Sequence, residues 1–141
     1  MATSEVDPIL DRLATLGLTV LVERRPRGVA AQLGFASDRR GLDPLKQLAL
    51  GRPDILDGSD VALPSVGLGV AYLLVGAKVG RVFSRVMTHE AHKAFEAEGI
   101  EHAAHERVKR LPADDPLGAL DERARAAPTM LAFVEELRQR G

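Results

Sequence analysis

The stretch "GRVFSRVMTHEAHKAFEAEGIEHAAHERV", residues 80–108, decides the fold. Its first part, "RVFSRVM" (81–87), has the apolar and β-branched character of a strand. Thr88 can then cap a helix, and Gly99 is a natural end for that helix. The last part, "IEHAAHERV" (100–108), is predicted to be the next strand. A strand, a helix and a strand in this order predict a sheet with a helix packed on its face.

The residues upstream predict a helix followed by a hairpin. Apolar residues recur at helical spacing within residues 4–17. The short stretches "LTVLVE" (18–23) and "GVAAQLGF" (28–35) are typical of two strands joined by a turn. An Asp-Pro pair then opens a helix over residues 43–50. Together with the later strands, this order predicts an α/β protein of three layers, α-β-α, around a mixed sheet of four or five strands.

A strongly apolar segment separates the hairpin from the strand–helix–strand unit. Pro64 suits the first turn of a helix over residues 65–77, which is apolar on most of its surface and includes Tyr72. Such a helix is either buried within the chain or lies in a subunit interface, so a homodimer is one expectation. Two more helices, 116–126 and 128–140, are predicted to complete the C-terminal region 116–140.

The overall composition fits one domain over residues 1–141 and limits its partners. Hydrophobic residues make up 45% of the sequence, which is enough for a core. The formal net charge is −1 and aromatic residues make up 4%, so there is neither a basic excess for phosphates nor much material for base stacking. The composition therefore disfavours a nucleic-acid partner.

The chain has no cysteine, which excludes disulfides, thiolate nucleophiles and cysteine-based zinc sites. The longest apolar stretch, residues 66–77, is too short to span a bilayer. The acidic first residues are unlike a secretory signal. We therefore expect a soluble cytoplasmic protein without a membrane partner.

All four histidines lie in one short stretch, which raises the question of a metal site. On a helix, His89 and His92 share a face, and Glu96 lies one turn further along it, so these three side chains could bind zinc. His102 and His105 point to opposite faces of a strand and cannot chelate together. We expect no metal cofactor, and we keep a zinc site of His89, His92 and Glu96 as the alternative.

Two predicted helix starts provide candidate sites for an anion. Ser65 and Gly67 lie at the first start, and Thr88 lies at the second. The glycine-rich stretch "GLGVAYLLVG" (67–76) lacks the lysine of a phosphate-binding loop and the glycine spacing of a dinucleotide site. We interpret its glycines as small residues that let a buried helix approach the sheet closely.

Three blocks of the sequence resemble a known family. They are "RGLDPLKQL" (40–48), "LDGSDVALPSVGLGVAYLLV" (56–75) and the stretch 80–108. In order and spacing they resemble the family called domain of unknown function 1893, and the similarity extends over residues 18–116. The resemblance implies a cytidine-deaminase-like fold.

The resemblance also implies that the chemistry of zinc deaminases is missing. Such enzymes carry His-x-Glu at one helix start and Pro-Cys-x-x-Cys at the next. The first position corresponds to residues 63–67, which contain neither His nor Glu, and the second corresponds to 88–92, with His89 and His92. Where the family typically has Asp-Lys and Val-Val-Gly-Lys, only Val66 and Gly67 remain.

We therefore expect a zinc-free, non-catalytic domain that binds a ligand or regulates a partner. Its ligand, a small anion or a nucleotide-like molecule, would lie over two helix N-termini, where backbone N–H groups are free. The residues expected to bind it are Ser65, Gly67, Thr88, His89 and His92. One alternative is a metal-dependent deaminase or hydrolase that uses His89 and His92. Another is a structural protein-interaction module.

Overall fold

The computed structural model describes residues 6–24, 32–39, 43–112 and 115–140. The helices in these ranges are α1 (Val6–Thr15), α2 (Asp43–Gly51), α3 (Pro53–Leu56), α4 (Leu68–Gly76), α5 (His89–Ala97), α6 (Pro116–Ala126) and α7 (Met130–Arg140). The strands are β1 (Val20–Arg24), β2 (Gln32–Ser37), β3 (Asp60–Val66), β4 (Arg81–Thr88) and β5 (Glu101–Val108).

The five strands form one mixed sheet in the order β2-β1-β3-β4-β5. Strand β1 is antiparallel to both of its neighbours, β2 and β3. Strands β3, β4 and β5 are parallel to one another. Helices α4 and α5 are the crossovers between these parallel strands. The predicted mixed α/β sheet is therefore confirmed.

Helices cover both faces of the sheet, which gives the predicted three layers. Helix α1 packs on one face and forms a small apolar cluster with the strands: Ile9, Leu10, Leu13, Leu21, Ala62 and Phe83. The larger core lies on the other face and includes buried residues of α2, α4 and α5. Helices α6 and α7 also contribute to this larger core and contact α4.

Helix α4 is apolar on most of its surface because its neighbours cover it from several directions. It contacts α2, α5, α6 and α7, and seven of its nine residues are buried. Tyr72, which is half-buried, meets Phe133 of α7 edge to face, with ring centroids 5.8 Å apart. The apolar surface of α4 is thus accounted for within the chain, and the homodimer stays a prediction.

The strand–helix–strand unit agrees with the sequence prediction. The Thr88 hydroxyl accepts a hydrogen bond from the Ala91 N–H at 3.1 Å and so caps α5. Gly99 follows the helix with a φ of +71°, a conformation that glycine adopts without strain. The predicted strands 81–87 and 100–108 correspond to β4 and β5 within one residue at each end.

The segment around Pro64 differs from the prediction. The expectation that Pro64 and Ser65 begin a helix is wrong, because both lie in β3 and α4 begins only at Leu68. The pairing of β3 with β4 passes from Leu63 to Ser65 without a partner for Pro64. A proline has no N–H for the sheet, which explains the gap. Proline is common in the first helical turn, and that preference misled the prediction.

Other element bounds shift by a few residues. Helix α1 starts no later than Val6, since residues 1–5 lie outside the described part of the chain, and it ends at Thr15. The start of the predicted strand 28–35 also lies outside the described residues. Helix α6 has the predicted bounds, and α7 begins two residues later than predicted.

None of the described helices is long and apolar enough to cross a membrane. The cytoplasmic location stays a prediction.

Candidate functional site

The carboxyl ends of β3 and β4 lie side by side at one edge of the sheet. Val66 near the end of β3 pairs with Met87 near the end of β4. Helix α4 follows β3 after Gly67, and α5 follows β4 directly at His89. The first turns of both helices therefore begin at the same edge, as we expected from the sequence.

The start of α4 is capped from outside the helix. Gly67 is the N-cap residue and has an extended backbone, so it offers no side chain to the free N–H groups. Ser65 lies two positions earlier, half-buried in β3, and not at the helix start. The Gly69 N–H instead donates a 2.8 Å hydrogen bond to Oδ1 of Asp121 in α6. The side chain of Asp121 thus caps the start of α4 from within the chain.

Asp121 is an unusual residue at this position because its carboxyl is almost completely buried. The residue is 1% exposed, and Oδ2 has no hydrogen-bond partner among the described residues. Burial raises the pKa of the Asp121 carboxyl, while the hydrogen bond from Gly69 and the charge of Arg125 partly offset this effect. No local pattern in the sequence indicates this contact, because its two partners are 52 positions apart.

The glycines of α4 allow α6 to approach closely. A Cβ at Gly67 would lie 2.6 Å from Cγ of Asp121 and closer still to its oxygens. A Cβ at Gly69 would lie 2.6 Å from Cγ of Leu120. The interpretation that these glycines permit close packing is therefore correct for these two positions, but the partner is α6 and not the sheet.

The start of α5 is also tied to α6. Thr88 is fully buried and its hydroxyl is used by the helix cap, whereas His89 is exposed. Glu90, in the first turn, accepts hydrogen bonds from Nε of Arg125 at 2.8 and 3.0 Å. Since Arg125 lies one turn after Asp121, a single face of α6 contacts both helix starts.

The histidines form a pair that sequence reasoning missed. Nδ1 of His92 lies 2.7 Å from Nε2 of His102, and Nδ1 of His102 lies 2.8 Å from the Ile100 carbonyl oxygen. On its other side, Nε2 of His92 lies 3.2 Å from Oε1 of Glu96. His92 and Glu96 lie on the same face of α5, as their spacing indicated. The contact with His102 arises because α5 packs against β5, which the spacing of the histidines does not reveal.

These contacts constrain where the protons lie. The Ile100 carbonyl can only accept, so His102 donates from Nδ1, and with both rings neutral its Nε2 accepts from Nδ1 of His92. Nε2 of His92 then has no proton for Glu96. Burial lowers the pKa of His92, and Arg107 adds to this effect while Glu96 opposes it. The contact between His92 and Glu96 therefore requires an added proton.

A zinc site does not fit this arrangement. Within the described ranges, no three side chains of His, Cys, Asp or Glu are placed to hold a metal ion together. His92 uses Nδ1 for the contact with His102, and His89 is exposed to solvent. The imidazoles of His92 and His102 are instead held by hydrogen bonds to each other and to the Ile100 carbonyl.

Comparison with known proteins relates this fold to one family. The structure is similar to the crystal structure of a DUF1893 family protein from Thermotoga maritima, with a TM-score of 0.78 and 19% sequence identity. The match covers 98% of this chain and 91% of that chain. It shows a shared fold, and that fold agrees with the family resemblance seen in the sequence. No family model matches this sequence, and neither does any curated protein. The deaminase-like classification stays a prediction.

Proposed function

We infer that the chain is a divergent member of the DUF1893 family, and we propose that it is a non-catalytic domain that binds a small oxyanion. The ligand, an inorganic anion or the phosphate of a nucleotide-like molecule, would lie over the first turns of α4 and α5. The observation that carries the proposal is the hydrogen bond from the Gly69 N–H to the Asp121 carboxylate. It supports an anion site because the first turn of α4 already donates a hydrogen bond to a carboxylate oxygen.

The surroundings of this edge support binding of an anion at the same place. The backbone of Gly67 carries no Cβ, so an oxygen atom can approach the first turn of α4 closely, as the Asp121 carboxylate does. Exposed His89 lies at the first position of α5, where a protonated or neutral imidazole can donate to an oxygen ligand. Arg125 brings a guanidinium to the same edge, and this group is suited to bidentate contacts with oxyanions.

The polar groups of this edge favour binding over catalysis. A nucleophile needs an adjacent base that can take its proton. The hydroxyl of Thr88 is buried and caps α5, and Glu90 is paired with Arg125. Asp121 is buried against α4 with a raised pKa. We therefore propose a binding or regulatory role in which the ligand changes the stability or the contacts of the domain.

A thermal-shift titration with inorganic phosphate, at ionic strength held constant with chloride, tests the proposal. A ligand that binds the folded state raises the melting temperature in a saturable way. The rise should shrink in His89→Ala. It should persist in Lys93→Ala, which removes an exposed cation one turn further from the edge. Stabilisation no greater than with chloride, or an equal loss in both variants, would refute phosphate binding at this edge.

Metal analysis of protein purified without a histidine tag tests the hydrolase alternative. We expect substoichiometric zinc in the purified protein. Zinc at one equivalent that disappears in both His89→Ala and His92→Ala would favour a metal-dependent enzyme over the binding domain. A protein that carries no zinc and responds to no phosphate or nucleotide would favour the protein-interaction module.

A further inference from the structure

Helix α6 lies on the edge of the sheet where the proposed ligand would bind. It places the carboxylate of Asp121 on the first turn of α4 and the guanidinium of Arg125 on the first turn of α5. With Asp121 in this position, the space above Gly67 is filled by carboxylate oxygens. An oxyanion therefore cannot reach the amide of Gly69 while α6 is docked.

The contact of Asp121 is incomplete as a capping interaction. Only Oδ1 is hydrogen-bonded, and Oδ2 is buried without a partner in the described part of the chain. A buried polar oxygen without a partner weakens the state that contains it. The raised pKa of the carboxyl has the same origin, since burial disfavours its charged form. A ligand with more oxygens and better access to water would satisfy the α4 amides at lower cost.

The second contact of α6, the ion pair between Arg125 and Glu90, is also one that can be broken easily. Arg125 is bound to Glu90, and both side chains keep about a quarter to a third of their surface in water, 25% and 31%. The partner of Arg125 is thus a carboxylate that solvent can replace. If α6 moves, Arg125 leaves the edge together with the helix, and the amide of Gly69 becomes available to an oxyanion.

The attachment of α6 is limited to one side of the helix. Among the described apolar side chains of α6, Leu120 and Ala124 are buried and Leu117 packs against the core beside them, and the main neighbour of the helix is α4. Glu122 and Ala126 are exposed. A surface helix whose backbone hydrogen bonds lie within itself can open locally at lower free energy than the central sheet.

We propose that α6 is an internal plug of the oxyanion site, with Asp121 in the place of the ligand, and that phosphate-type ligands bind by displacing it. This inference rests on the proposed anion site and adds its regulation. Ligand occupancy is read out as release of α6 from α4. The domain thereby converts the binding of a small oxyanion into exposure of a helix and of the apolar surface beneath it.

Calorimetric titration with inorganic phosphate separates the plug from the site itself. Asp121→Ala removes the carboxylate and should bind phosphate at least tenfold more tightly than the unmodified protein. Glu122→Ala is the matched control, since it removes an exposed carboxylate at the next position of α6. An equal gain in Glu122→Ala would assign the effect to net charge and overturn the plug.

The remaining outcomes distinguish the two proposals. Equal phosphate affinity of the unmodified protein and Asp121→Ala overturns the plug and leaves the anion site in place. Failure of both proteins to bind phosphate removes the site and the plug together.

Hydrogen exchange on the unmodified protein gives a second measurement that does not depend on a stable variant. Saturating phosphate should speed exchange over residues 117–126 and slow it at residues 69–71. Phosphate that slows exchange, or leaves it unchanged, over residues 117–126 while protecting residues 69–71 contradicts displacement of α6.

Discussion

Asp121 of α6 packs on the bare Cα of Gly67, so that any side chain at position 67 would overlap the carboxylate. A Cβ there would lie 2.6 Å from Cγ of Asp121. The close contact is built from two residues far apart in sequence, a glycine without a side chain and a residue with a short polar one. The close approach of α6 to the start of α4 therefore depends on the glycine at position 67, as it does on the glycine at position 69.

Gly67→Ala should destabilise the protein by about 1–3 kcal/mol, because the added methyl group overpacks the contact with Asp121. Urea denaturation with a matched fluorescence or circular dichroism signal measures the change. Gly51→Ala is the control, since a Cβ at Gly51 in α2 meets nothing within 4 Å. A destabilisation of the same size in Gly51→Ala would show that the effect at Gly67 is not steric.

The double variant Gly67→Ala/Asp121→Ala extends this test. Truncation of Asp121 removes the atoms that the new methyl group would meet, so the double variant should be less destabilised than the sum of the two single variants. Residues in direct contact commonly show coupling of about 0.5–3 kcal/mol. Strict additivity would mean that the two side chains do not share this space.

Asp121→Asn should stabilise the protein at neutral pH, and the gain should fade in acid. The folded-state pKa of Asp121 is raised above 3.8, so the folded state holds its proton to higher pH than the unfolded state. Stability therefore falls as pH rises from 3.8 through the raised pKa, and the full penalty remains above it. The asparagine carries no such penalty. Denaturation curves across pH 3–8 measure the difference.

The control for this pH series is Glu122→Gln on the same helix. Glu122 is exposed, and surface changes of this kind usually stay within about 0.5 kcal/mol. A difference between Asp121→Asn and the unmodified protein that does not vary with pH would argue that the burial of charge is not its cause.

The histidine pair predicts a specific arrangement of protons at alkaline pH. With both rings neutral, His92 and His102 should each carry their proton on Nδ1, because His102 donates to Ile100 and accepts from His92. Long-range proton–nitrogen correlation spectra identify the tautomers directly. His89, which is exposed, serves as the reference. A proton on Nε2 of His92 would contradict the hydrogen-bond direction.

Acidification should destabilise the protein through His92. The folded-state pKa of His92 lies below 6.5, so the unfolded state takes up a proton first as pH falls. The contribution of His92 to stability is complete above 6.5 and declines as pH falls from there through the lowered pKa. His92→Asn can still donate to His102 and should flatten the pH dependence between pH 5 and 7. His89→Asn should leave it unchanged.

The ion pair between Asp60 and Arg81 should be important for stability. The two residues face each other across β3 and β4, and the guanidinium donates two hydrogen bonds, of 2.7 and 2.9 Å, to the carboxylate. Asp60 is 5% exposed. Asp60→Ala leaves Arg81 with a partly buried charge and should cost about 3 kcal/mol. Asp54→Ala, which breaks an exposed pair with Arg52, should leave the denaturation midpoint unmoved. An equal loss of stability in Asp60→Ala and Asp54→Ala would show that burial of the ion pair is not the reason for the loss.

The parts of the fold that depend on local signals could be predicted from the sequence. The unit from β4 to β5 was found because Thr88 and Gly99 mark the ends of its helix. Strand β3 was missed because Pro64, inside it, resembles a helix start more than a strand residue. Only three apolar residues, at positions 61–63, precede Pro64 in this strand, and they are too few to outweigh the helix-start signal of the proline.

The site depends on contacts that no local pattern contains. The glycines at 67 and 69 indicated close packing, but nothing in the sequence showed that Asp121 is the residue that fills the space. The spacing of the histidines likewise indicated which of them share a face of the helix and which lie on opposite faces of the strand. It did not indicate that the crossover places His92 over His102. Long-range packing decides these contacts, so residue types near the edge were predictable and their partners were not.

The two faces of the sheet are covered unequally, and the face under α1 has the smaller cover. Among the described residues, α1 alone forms the cluster on its face, with three buried side chains of its own, Ile9, Leu10 and Leu13. Detachment of α1 would expose Leu21, Ala62 and Phe83 on this face of the sheet. At raised temperature or high protein concentration, molecules in which α1 has detached should therefore associate through this apolar face before the sheet itself unfolds.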